Sequence, residues 1–217
     1  MNMSLGLKKN SKIKVAFVIN FAHQKWLGGL NIILNLIEAI NELPKPKIKP
    51  VLIIDKNEDL KRFKKKKNLQ VIRTNFFQEN DLITRIIDKL IILIKGKSDK
   101  YEKFFEKLSI RILSHTLLTL GKNSKIKSFP WIPDYQYVHY PENFSFKNRI
   151  MKTINTFFCA YSSTRIILSS KDVKNDIKKI SSLAFKKSKI NSFVFNLPPR
   201  KEIKKLNVLK KKYKIPN

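Results

Sequence analysis

The alternation of apolar and polar positions divides the chain into short strands and longer helices. Residues 12–20 (KIKVAFVIN) hold a near-continuous apolar run from Val15 to Ile19 with β-branched members, the pattern of a strand buried on both faces. A loop, Phe21–Trp26, then leads to Gly28-Gly29. From Leu30 onward the residues Leu30, Ile33, Leu34, Ile37, Ile40 and Leu43 recur at steps of three and four, which makes one apolar stripe of a helix. Pro44, Pro46 and Pro50 end it. Val51–Ile54 predicts a second strand ending in Asp55, Asn57–Lys67 a charged helix or loop, and Leu69–Arg73 a third strand. Helical spacing follows over Asp81–Ile94 and Tyr101–Leu120, separated by Gly96-Lys97-Ser98. Phe129–His139 reads as strand and loop, Arg149–Tyr161 as helix, Arg165–Ser170 as strand and Lys171–Leu183 as helix. Ile190–Asn196 is a last strand, closed by Pro198-Pro199.

Strands alternating with helices of about 10–15 residues predict an α/β fold, a Rossmann-like, doubly wound parallel sheet. Ligands of such a sheet bind at the carboxyl ends of its strands. The expected organisation is a loose basic start over 1–11, one domain over 12–199, and a Lys-rich linker over 200–217.

Composition narrows the picture. A chain of 217 residues with 42% apolar residues can bury a core, which excludes general disorder. Leu90–Ile94, one of the longest apolar runs, is far short of the ~20 residues of a spanning helix, and the basic N-terminus lacks the apolar region of a secretory signal. The one cysteine, Cys159, excludes an internal disulfide framework and a Cys-based zinc site. The expectation is a cytoplasmic protein, at most peripheral on the inner face of the cytoplasmic membrane.

The 46 basic residues exceed the 16 acidic ones by 30, which suits an anionic partner: a membrane surface, a polyphosphate, a nucleotide sugar or nucleic acid. Only 7 of the 46 are Arg, the side chain that grips guanine edges and phosphates bidentately, so the balance argues against a nucleic-acid reader. The Lys excess goes with abundant Ile and Asn, the mix expected of an AT-rich genome. A non-catalytic basic binding protein for nucleic acid is the rival reading. The Lys-rich stretches Lys61–Lys67 and Lys201–Lys212 fit an anionic lipid surface.

Gly28-Gly29, ahead of the first helix, would let backbone N–H groups approach a phosphate; the same pair also serves simply as a turn. No GxGxxG or GxxxxGK[ST] is present, and no metal-ligand spacing occurs, so no metal or other cofactor is expected. The stretch 131–144 (WIPDYQYVHYPENF) gathers acidic, amide and imidazole groups with five aromatics. It has the equipment of a carbohydrate site, or else of a Pro-stiffened connection whose rings pack inward. His23 and His139 fall in strand-end loops, whereas His115 sits at helical spacing with Ile112 and Leu118 and reads as a packed core or surface residue. Ser170 reads as a helix N-cap, and Cys159 lies on an apolar helix face.

Three segments in this order resemble the N-terminal domain of GT-B-fold glycosyltransferases of the family-four, or group-one, type. They are Trp26-Leu27-Gly28-Gly29 with Asn35-Leu36-Ile37, then Trp131-Ile132-Pro133-Asp134-Tyr135-Gln136 with Pro141-Glu142 and Phe144-Ser145, then Ile166–Ser170 with Val173 and Asp176. The family block commonly carries His directly after the Gln; here that place is Tyr137, and His139 lies two further on. The resemblance implies one half of a GT-B enzyme, with the nucleotide-sugar donor as co-substrate and metal-independent transfer to a glycan or lipid-linked acceptor. It implies a missing C-terminal donor domain or partner subunit, and hence a fragment that is inactive alone. Gly28 and Gly29 would face the donor diphosphate. Trp131, Gln136 and Glu142 would bind substrate, and Asp134 or His139 would be the catalytic base.

Overall fold

The computed structural model describes residues 12–19, 27–57, 69–77, 82–193 and 213, and in it the first apolar run becomes β1 (Ile13–Val18). This strand is central to a parallel sheet because both of its faces are apolar. Val15, Phe17 and Ile19 pack with Leu30, Ile33 and Ile37 of α1 (Leu27–Glu42). The alternate residues Ala16 and Val18 belong to the core on the other face, with Tyr101 and Phe105 of α3 (Asp99–Lys107). β1 pairs in parallel with β2 (Ile48–Asp55) on one side and β4 (Ile112–Ser114) on the other. With β3 (Gln70–Thr74) and β5 (Lys127–Phe129) at the flanks, the order is β3-β2-β1-β4-β5.

Only Pro130 separates β5 from β6 (Trp131–Ile132), which opens a second parallel sheet of order β6-β7-β8 with β7 (Ile166–Leu168) and β8 (Ser188–Ile190). Proline has no N–H to donate, so the ladder breaks there. Its carbonyl still accepts from the Ile167 amide at 2.7 Å, and the Thr164 amide reaches the Ser128 carbonyl at 2.9 Å. The two sheets therefore join through one interrupted strand. The α2 helix (Leu82–Lys95), the four-residue α4 (Gln136–His139), α5 (Phe146–Ser162), α6 (Lys171–Ile180) and α7 (Ser182–Lys187) complete the described elements. Ser170 caps α6 as expected, its hydroxyl accepting from the Val173 amide at 3.3 Å. Among the described residues no helix is long and apolar enough to cross a membrane.

Several boundaries differ from the sequence reading, among them the helix α4 inside the stretch read as strand and loop over Phe129–His139. The helix expected over Tyr101–Leu120 is α3 followed by β4, because Ser109 turns into the left-handed region (φ 57) and ends the helix. The helix expected over Lys171–Leu183 divides at Ser181, which caps α7. Gly28 and Gly29 fall within the first described turn of α1 rather than ahead of it. The last described strand is Ser188–Ile190, and of the expected Ile190–Asn196 the residues after 193 lie outside the described ones. The readings of 1–11, Phe21–Trp26, Lys61–Lys67 and Lys201–Lys212 lie outside the described residues, as does His23.

The connection after β4 is tied down by backbone bonds. Ser98 donates to the Leu120 carbonyl at 3.2 Å, Gly121 to the Ser162 carbonyl at 3.1 Å, and Asn123 to the Gly96 carbonyl at 2.8 Å. Gly121 has φ +100, and a Cβ there would run into the carbonyl of Gly96.

Candidate functional site

The strand order reverses direction between β1 and β4, and the crevice of a doubly wound sheet opens at the carboxyl ends of such a pair. At the end of β4 stands His115, buried and with φ 52, a backbone region that residues other than glycine seldom adopt. Its ring stacks on Phe17 of β1 with centroids 5.9 Å apart and lies 5.6 Å from the ring of Trp131. Ser114 bonds its Nδ1 at 2.8 Å, which leaves Nε2 without a hydrogen bond among the described residues. Strained backbone persists where the surroundings over-determine it, a property concentrated at functional sites. Ser114 and His115 were not singled out from the sequence as site residues. The usable signal was topological: a doubly wound sheet needs a strand between β3 and β5, and the short segment Ile110–Leu113, apolar apart from Arg111, ends in Ser-His.

Burial pushes the His115 imidazole down to about 4, so the folded chain keeps it neutral at physiological pH. The unfolded chain takes up that proton near the ordinary value of 6.5 and so binds more protons between these limits. The stabilisation is complete above the unfolded value and is lost as pH falls through the folded one, up to about 3 kcal/mol. Urea midpoints measured from pH ~7 down to ~4.5 are expected to fall more steeply for the native chain than for His115→Gln. Equal slopes would contradict the burial argument.

Trp131 forms the link from this crevice to the second sheet. It is buried, its indole N–H donates to the Ser169 hydroxyl at the end of β7 at 3.0 Å, and its ring meets Phe193 edge-on at 6.0 Å. His115, Trp131 and Ser169 thus lie together along the strand ends.

No protein-family profile matches the chain, and no curated protein matches it. Among solved structures it is similar in fold to Anabaena Alr3699/HepE, determined in complex with UDP and glucose. The TM-score is 0.55 at 11% identity, over 93% of this chain and 50% of that one. This chain spans about half the length of HepE.

That likeness is one of fold, and the sheet fits a Rossmann-like domain. The residues singled out after β6 occupy distinct positions. Asp134 is exposed, and its Oδ1 accepts from the Gln136 amide at 3.4 Å ahead of α4. Gln136 and Glu142 are exposed, the latter in a 3-10 turn over Pro141–Asn143. His139 is about half exposed, and its Nε2 lies 2.8 Å from Oδ2 of Asp176, a nearly buried carboxylate on α6. Asp176 thus pins the imidazole from a neighbouring helix, a pairing the sequence did not reveal. Tyr135 and Tyr137 turn inward, bonding Thr156 and Thr153 of α5 at 3.3 and 3.2 Å. Gly28 is exposed and Gly29 buried in the first described turn of α1.

Cys159 is buried against α5's inner neighbours, and burial pushes its thiol up to about 12, a poor nucleophile. Among the described residues no cluster of His, Cys, Asp and Glu fits a metal ion.

Proposed function

We propose that the chain is the acceptor-side half of a glycosyltransferase that moves a sugar from a nucleotide-sugar donor to a glycan or lipid-linked acceptor. The observation that carries this reading is the fold likeness to HepE, a protein solved with UDP and glucose. The family-four type, and a place in the synthesis of cell-surface polysaccharide or lipopolysaccharide, extend the reading through the sequence resemblance. A second Rossmann-like unit, as a C-terminal domain or partner subunit, would face these strand ends and hold most of the donor.

In this reading the amides of Gly28 and Gly29 and the positive end of α1 meet the donor diphosphate. The neutral His115 offers its Nε2 to a polar group entering the crevice. Trp131 shapes the floor by packing. Asp134, Gln136 and Glu142 contact acceptor hydroxyls. Between the two candidate bases, the geometry favours His139. The Asp176 carboxylate accepts from Nε2–H, which orients the ring and stabilises the imidazolium formed when Nδ1 takes a proton. That proton leaves the acceptor hydroxyl as its oxygen bonds to the anomeric carbon, and the nucleoside diphosphate departs with its electron pair.

Backbone-amide NMR of the 217-residue chain with UDP-glucose tests the proposal. Saturable shifts at Gly28, Gly29 and His115 are expected with a Kd on the order of millimolar, as one wall of a two-walled site contributes only part of the binding energy. Sugar transfer by the chain alone is expected to be absent. A folded spectrum that responds to no nucleotide sugar would overturn the proposal.

A further inference from the structure

Among the described residues, many of the exposed large apolar side chains lie on α2 and α5. Lys89 Nζ donates to Asn155 Oδ1 at 2.9 Å, and the Tyr161 hydroxyl donates to the Leu93 carbonyl at 3.3 Å. These bonds link the two helices at two points that follow the same order along each. Their inner sides are accounted for: Ile92 is buried on α2, and Thr156, Cys159 and Ala160 are buried on α5. The outer sides are apolar as well. On α2, Ile83, Ile86, Leu90 and Ile94 are 67%, 50%, 50% and 83% exposed. On α5, Ile150 and Ile154 are 41% and 50% exposed, and a groove of about 450 Å³ runs between α5 and the Tyr137–Pro141 segment, walled in part by Phe146 and Phe157.

The charges on these two helices are mostly positive. α5 carries Lys147, Arg149 and Lys152 and no acidic residue. On α2, Lys89 and Lys95 accompany a single acid, Asp88, whose carboxylate accepts the Tyr101 hydroxyl at 3.0 Å from α3. An apolar stripe edged by cations is the signature of a helix that lies in a lipid headgroup region. A second copy of the chain fits less well, because two faces of this kind, each on a molecule of formal charge +30, would oppose like charges. An anionic bilayer satisfies both halves of the surface, taking the apolar side chains among its acyl chains and the Lys and Arg heads at its phosphates.

We infer that the paired outer faces of α2 and α5 are a docking surface for an anionic lipid bilayer. It is a different surface from the Lys-rich stretches noted in the sequence, and it stands independently of the glycosyl-transfer reading, since its test uses neither donor nor acceptor. The groove borders the segment that carries His139, so docking would hold that segment close to the headgroups.

Flotation of the full chain with vesicles of phosphatidylcholine, with and without about 30% phosphatidylglycerol, provides the test. The native chain is expected to partition at least about tenfold better onto the anionic vesicles, and to keep part of this binding at about 0.5 M salt, where surface charge is screened. Ile86→Ser with Ile154→Ser leaves the charge unchanged at half-exposed positions and is expected to weaken partitioning by about 30- to 100-fold. Leu90→Ser alone is expected to act in the same direction, which covers the case of a misfolded double variant. Lys147→Glu with Arg149→Glu is expected to weaken only the anionic binding. Equal flotation of native and serine-substituted chains would assign the binding to diffuse charge and overturn the inference. So would absence of flotation, or a lipid-free dimer that the serine variants abolish while vesicle binding persists.

Discussion

Gly121→Ala is expected to cost at least about 4 kcal/mol, enough to unfold much of a domain of ordinary stability. Two penalties coincide at this position. Its φ of +100 is outside the range that L side chains readily adopt, and the new methyl group would meet the backbone of Gly96 and Lys97. Backbone atoms cannot rotate away as a side chain does, so the turn after α2 and the start of α3 would have to move. Gly96→Ala is the internal control. It has φ +70, but the atoms nearest its methyl belong to the side chain of Asn123, which is exposed and can turn, rather than to backbone. A loss of about 1–2 kcal/mol is expected there. Urea midpoints of the two variants and the native chain decide the matter. A Gly121→Ala chain within 1 kcal/mol of native, or equal costs at both sites, would mean the close approach of the two glycines is not a constraint.

Trp131→Ala is the second large effect, about 3–5 kcal/mol, because a buried indole leaves a cavity that its neighbours fill only in part. The Ser169 hydroxyl loses its donor at the same time. Trp131→Phe keeps an aromatic ring in the core and loses the N–H with part of the indole volume, so a smaller cost of about 1–2 kcal/mol is expected. The indole also covers one side of His115. Opening that side to water relieves the desolvation that holds the imidazole at about 4, so NMR titration of His115 in Trp131→Ala should move toward the ordinary value of 6.5. An unchanged titration alongside an unchanged stability would separate Trp131 from the crevice.

The doubly wound sheet was legible because β1 and β2 are apolar on both faces and alternate with the 3.6-residue stripe of α1, a pattern with few alternative folds. The strand β4 was hidden for a specific reason. A helix that stops on a left-handed residue is usually marked by glycine, but here Ser109 takes that conformation, and Ile112, His115 and Leu118 continue the helical spacing by coincidence. With β4 absorbed into a helix, His115 was read as a packing residue and the reversal point of the sheet lost one of its two walls. The segment after β6 was legible as unusual in composition. Its internal division was not, because alternation in so short a stretch does not tell which rings turn inward. Tyr135 and Tyr137 went to the core while Asp134, Gln136 and His139 stayed outside. The Asp176–His139 pairing joins residues 37 apart, and only the packing of α6 beside α4 brings them together.

Cys159 gives this molecule a built-in clock. It is the chain's one thiol, and it lies among Tyr135, Ile166, Leu168 and Val173, the core beneath the second sheet, away from the five-stranded one. An alkylating reagent can reach it only when α5 lifts from that core. The ratio of its labelling rate to that of an unprotected thiol therefore measures the free energy of that opening alone. Run beside whole-chain unfolding in urea, labelling would tell whether the portion beyond Pro130 opens as a separate cooperative unit or only together with the rest, without any change to the sequence.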